Sequence, residues 1–151
     1  MYRALLTFAL ATALLAAPGI SLADLRFQQF DDQQLELILE QEGYKDVQIV
    51  KQGLLHFDAY DTTYALYRYA DGDLQLYLGL TGVYVSYLDI NEWNATRRLS
   101  RSYLDDAGDP VIEADLLLDD SQTAGSVRDF VRVFLVSAEH FKRFIVARHG
   151  G

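Results

Sequence analysis

Two short stretches carry most of the chain's polar chemistry. The first is INEWNATRR, residues 90–98, where the only tryptophan, Trp93, stands between Asn91 and Asn94 with Glu92 before it and Arg97 and Arg98 behind. Asn91 and Asn94 are poor helix formers three residues apart, on one face of a helix, and Arg98 lies four beyond Asn94. Together they form a polar stripe suited to hydrogen-bonding a neighbouring hairpin, a partner's backbone or a ligand. The second stretch is VIEAD, residues 111–115, where Glu113 and Asp115 share one face of a strand. Such a carboxylate pair serves as general acid and base, or as oxygen ligands for a hard cation. Arg101, on the preceding strand, offers the plainer use, an ion pair across a hairpin.

Other reaction chemistries lack their residues. Cysteine is absent, which removes disulfides, thiol nucleophiles and thiolate metal sites. His56, His140 and His149 are scattered, with no partner at metal-ligand spacing. No serine stands in a GxSxG elbow and no glycine-rich loop is built for phosphate. The run Asp105-Asp106-Ala107-Gly108-Asp109 lacks the alternating acids and terminal glutamate of a calcium loop. The expectation is a protein that is not an enzyme and holds no cofactor or metal.

The elements that must position these residues are legible from periodicity. In FDDQQLELILEQEGY, Leu35, Ile38 and Leu39 recur at helical spacing. Asp31 with Gln34 reads as a capping box, Phe30 with Leu35 as a hydrophobic staple, and Gly43 as the stop. Period-two segments near 46–51, 54–60, 63–70 and 73–80, broken at Gln52-Gly53, Asp61-Thr62 and Asp71-Gly72, predict a four-strand meander. Its tyrosines, among them Tyr60, Tyr64, Tyr67, Tyr69 and Tyr77, suit rings that pack while their hydroxyls reach water.

In the helix of INEWNATRR, Asp89 is expected as N-cap with Glu92 closing a capping box. Leu88 and Trp93 form the staple pair, and Arg97 and Arg98 lie at the negative end of the dipole. Tyr103 and its neighbours, then Val111 to Leu118, flank a turn in which Gly108 supplies positive φ and Pro110 opens the next strand. The last helix, from Ser126 onward, carries the stripe Val127, Phe130, Val131, Phe134, Ala138, Phe141 and Ile145, with a narrower apolar patch at Val133 and Phe144. That patch suggests a second copy of the chain as a partner. The whole reads as an α+β fold, an antiparallel sheet made of the meander plus a C-terminal hairpin and packed with three helices.

Compartment and partners follow from the ends and the charge. Arg3, an apolar run from Ala4 to Ala17, Pro18-Gly19 and Ser21-Leu22-Ala23 form the three parts of a secretory signal peptide cleaved after Ala23. The run is shorter than the roughly 20 residues of a spanning helix, so no stable membrane anchor is expected after cleavage. Removing the first 23 of 151 residues leaves one domain, 24–151. The signal takes away one cation and no acid, so the formal charge moves from −9 to −10. Such a surface repels phosphate backbones, and nucleic acid is not expected as a partner. Periplasmic or secreted localisation is the expectation.

At INEWNATRRLSRSYLDDAGDPVIEADLLL the chain resembles the YbjN-type family of bacterial sensory transduction regulators. The resemblance lies in the helix Ile90 to Asn94, the turn residues Tyr103 to Asp105 and Gly108 to Pro110, and Glu113 with Asp115. It spans about residues 88 to 146, including Phe141 and Phe144 of the last helix. It implies a fold similar to type III secretion chaperones, which are small, acidic, usually dimeric and bind extended segments of other polypeptides. It implies no catalytic residues. The chain departs from the family in its signal peptide and in lacking a cysteine pair in the central hairpin.

The reading is therefore a non-enzymatic exported module that binds another protein or peptide segment. It would use the sheet, the Asn91/Asn94/Arg98 stripe or the last helix. The rival is a sensor of a small molecule or divalent cation centred on Glu113, Asp115 and nearby tyrosines.

Overall fold

The computed structural model describes residues 29–117 and 123–149. Residues 1–23, expected to be a signal peptide, and Leu118 lie outside the described residues. Among those described, the order is α1 (Asp32–Gln41), β1 (Lys45–Lys51), β2 (Leu54–Ala59), β3 (Thr62–Arg68), β4 (Leu74–Gly79), α2 (Tyr87–Thr96), β5 (Arg101–Leu104), β6 (Pro110–Leu116) and α3 (Ala124–Arg148). The strands form one antiparallel sheet in the order β1-β2-β3-β4-β6-β5. The fold is α+β, a meander extended by a hairpin, as the periodicities imply.

Turn chemistry explains the meander. Between β2 and β3, Tyr60 (φ 49°) and Asp61 (φ 56°) are both left-handed, the geometry of a two-residue hairpin turn whose twist matches the strands. Between β1 and β2, Gly53 has φ 75°, and a Cβ there would stand 2.6 Å from the Arg68 carbonyl oxygen. Glycine is required twice over, by dihedral and by space.

Asp31 caps α1 and Gln34 completes the capping box, as the sequence predicts. Asp32, one residue on, accepts from the Gly53 N–H at 2.9 Å and from Arg68 Nε at 2.6 Å. These contacts fasten the helix start to the hairpin. The Arg68 hydrogen bond holds the Asp32 carboxyl below its ordinary range.

Alternation assigns the two sheet faces. Leu55 and Phe57, Tyr64 and Leu66, Leu74, Leu76 and Leu78, and Ile112 and Ala114 join one buried core with Leu35, Ile38 and Leu39 of α1 and Val127, Val131, Phe134, Phe141 and Ile145 of α3. The helices thus cover one face. The opposite face carries His56, Ala65, Tyr67, Gln75, Tyr77, Val111, Glu113 and Asp115, and no described helix lies over it.

α3 begins a turn earlier than its apolar stripe suggests, because Thr123 caps it and Ser126 sits at N3 of a capping box. No described helix is long and apolar enough to cross a membrane.

Candidate binding face

Helix α2 starts three residues earlier than expected. Ser86 is its N-cap, and Asp89, expected in that role, is the N3 partner of the box. The Asp89 carboxylate accepts from the Ser86 hydroxyl at 2.6 Å and from its N–H at 2.9 Å, which holds the carboxyl below its usual range. The earlier start turns Leu88 onto the outer surface, where it is 80% exposed, so it staples nothing. Trp93 is fully buried all the same. Its ring meets Phe141 edge-on at 5.0 Å and Phe144 at 5.4 Å, with the Arg97 guanidinium 5.5 Å from its centroid. Glu92, no longer a cap residue, pairs with Arg148 of α3 at 2.5 Å, and Arg148 also reaches Asp89 at 3.2 Å.

The polar stripe does not survive as one surface. Asn94 donates from Nδ2 to the Ser102 carbonyl and accepts at Oδ1 from the Ser102 N–H, both at 2.9 Å. Its carboxamide therefore imitates one residue of a seventh strand and closes the outer edge of β5, the edge strand of the sheet. The helix ends at Thr96, so Arg98 leaves the helical face and stands exposed in the loop to β5. Asn91 is exposed and makes no side-chain hydrogen bond among the described residues.

Glu113 is the buried acid of the open face, 3% exposed. β5 and β6 pair in a register that sets Arg101 opposite Glu113 and Tyr103 opposite Val111. Arg101 donates to Glu113 Oε1, and the Tyr103 hydroxyl donates to Oε2 at 3.2 Å. Burial, then the charge of Glu113, pushes the Tyr103 phenol up to about 12. Glu113 in turn raises the Arg101 guanidinium above its ordinary value.

Asp115, two residues on, takes a different partner. Its carboxylate accepts from Gln75 at 2.9 Å, and Gln75 accepts from the Tyr69 hydroxyl at 2.9 Å. Glu113 and Asp115 thus share a face but belong to separate networks, each neutralised or hydrogen-bonded. No group of three His, Asp or Glu side chains among the described residues is placed to hold a metal ion.

Beside Glu113 the face is hollowed. A cavity of about 310 Å³ is walled by His56, Thr63, Tyr67, Tyr77, Gly79, Thr81, Asp105 and Asp109. The rings of Tyr67 and Tyr77 meet edge to face at 6.2 Å and 87°. Asp105 Oδ1 accepts from the N–H groups of Ala107 and Asp109, both at 2.9 Å, which with Gly108 (φ 84°) fixes the turn and sets Asp109 at the cavity. Burial, and next the charge of Asp105, pushes the Tyr77 hydroxyl up.

Tyr67, Tyr77 and Asp109 had no individual signal in the sequence. The tyrosines were visible as a class, but their meeting depends on the register that sets Ala65 opposite Tyr77 and Tyr67 opposite Gln75. The residues of the 88–115 motif now have distinct tasks. Asn94 clips helix to edge strand, Tyr103 and Glu113 join across the hairpin, and Asp105, Gly108 and Pro110 shape the turn.

No curated protein matches the chain. A family model described as "YbjN: Putative bacterial sensory transduction regulator" matches residues 31–146, from the N-cap of α1 to the last turn of α3. With the match extending over the whole helix-backed sheet and reaching every element named above, the chain belongs to the YbjN family.

Proposed function

We propose that the chain is a non-enzymatic regulatory module, exported to the periplasm, that holds an extended segment of another polypeptide on the helix-free face of its sheet. The observation that carries this reading is the state of the three surfaces open to such a role. The apolar stripe of α3 is spent in the core and Asn94 is spent on Ser102, while the open face keeps a cavity and half-buried tyrosines with no described element over them. Aromatic rings supply contact area at low entropic cost, the usual equipment of a protein-binding face. Export is supported by the three-part pattern of residues 1–23.

The cation-sensor reading has less support. Both oxygens of Glu113 already accept from Arg101 and Tyr103, so a divalent ion there would have to displace a guanidinium.

Photo-crosslinking in periplasmic extract tests the proposal. A crosslinking residue at Thr63, exposed on the open face, is expected to capture a defined polypeptide. The same residue at Arg132, exposed on α3, is expected to capture none. Equal capture from both positions, or capture from neither, removes the open face from the interaction.

A further inference from the structure

We propose that the cavity between Tyr67 and Tyr77 is an organic-cation site that receives one lysine or arginine side chain of the bound polypeptide. The assignment rests on the open face being the binding surface and names the chemistry it selects. At about 310 Å³ the cavity is at the small end of ligand sites, enough for one side chain. Its walls fit a cation in three respects.

First, two tyrosine rings meet edge to face there, and the electron-rich ring faces and phenol oxygens attract positive charge. Second, Asp105 and Asp109 line the cavity and no lysine or arginine does. The other acids on this face are engaged: Asp58 accepts from Thr63 at 2.6 Å, Asp115 from Gln75, and Glu113 from Arg101 and Tyr103. Asp109 is half-buried, and its carboxylate makes no hydrogen bond or ion pair among the described residues. An unpaired carboxylate beside aromatic rings is placed to accept a charge-assisted hydrogen bond from an entering ammonium or guanidinium. An anion would be repelled, and an apolar group would cover the carboxylate without pairing it.

Third, the floor is kept open by Gly79. A Cβ there would stand 3.1 Å from the Tyr77 hydroxyl oxygen, so a larger residue would shift the ring that forms the wall.

Calorimetric titration of the full chain separates the outcomes. Three probes are used: the blocked pentapeptide Ala-Ala-Lys-Ala-Ala, the same peptide with glutamate at its centre, and butylammonium. The lysine peptide is expected to saturate and the glutamate peptide to give no binding. Asp109→Asn and Tyr77→Leu are each expected to weaken lysine-peptide binding at least tenfold, with the melting temperature of Asp109→Asn unchanged. Equal binding of the two peptides, no binding of either, or wild-type affinity in Asp109→Asn overturns the cation site. Butylammonium binding as tightly as the lysine peptide overturns the polypeptide source in favour of a free amine. Crosslinking from Thr63 without lysine-peptide binding sinks the cation site alone. Lysine-peptide binding without crosslinking sinks the proposed function alone.

Discussion

Glu113 shows how one buried charge sets the behaviour of its neighbours. A carboxylate 3% exposed on a sheet face is tolerated because a guanidinium and a phenol both donate to it. The same arrangement favours the protonated phenol of Tyr103, whose folded value of about 12 exceeds the ordinary 10.0. A raised phenol contributes stability that is fully present below pH 10.0 and is lost as pH rises through about 12. Glu113→Gln removes the charge that raises Tyr103 but leaves its burial. The Tyr103 titration, followed by the ultraviolet absorbance of tyrosinate, is therefore expected to move down toward 10.0 without reaching it. An unchanged titration would show that Glu113 does not act on Tyr103.

A single side chain of helix α2, Asn94, hydrogen-bonds the backbone of strand β5. The two hydrogen bonds between the Asn94 carboxamide and the Ser102 backbone, one donated and one accepted, satisfy one residue of an edge strand only four residues long. Asn94→Ala leaves the Ser102 N–H and carbonyl without them, at a cost of about 1–3 kcal/mol. Urea denaturation is expected to show that loss as a lower midpoint at unchanged slope, with Asn94→Asp between wild type and alanine because it keeps only the acceptor. A midpoint equal to wild type in Asn94→Ala would mean that water replaces the clip without penalty. Trp93 holds the other side of α2, against Phe141 and Phe144, so the helix stays docked in the variant and the effect remains local.

Across the whole molecule, the apolar patch expected at Val133 and Phe144 is divided between an exposed and a half-buried residue. Phe144, expected to share an apolar patch with Val133, is half-buried between Trp93 and the Arg148 guanidinium, which stands 3.7 Å from its ring centroid. Val133 is 43% exposed and by itself offers too little area for a stable dimer. Light scattering at micromolar concentration is expected to return the mass of one chain. A mass that doubles with concentration would mean that copies pair through the open sheet face or the outer edge of β1. That edge is poorly suited to pairing, because register shifts break it at two places and Lys45 and Lys51 flank it. The formal charge of −9 gives the molecule a long-range preference for cationic partners, the sign required by Asp105 and Asp109.

The sequence by itself determined the kinds of element, their order and the family, while the turn between β2 and β3 falls at Tyr60-Asp61, one residue before the expected Asp61-Thr62. Helical and alternating periodicities are local, glycine and aspartate mark turns through their own backbone preferences, and the 88–115 motif keeps its spacing whatever surrounds it. Helix α2 starts after Ser86 rather than Asp89; both are good N-caps, and the choice between them rests on where the chain enters from β4. Only the tertiary structure decided which polar groups are free. Asn94 and Asp109 look alike on paper, two short polar side chains in a conspicuous motif. The edge of β5 consumes Asn94, whereas the turn leaves Asp109 unpaired beside two tyrosines that come from strands more than thirty residues away. Strand register makes that difference, since it brings distant residues within hydrogen-bonding distance or keeps them apart.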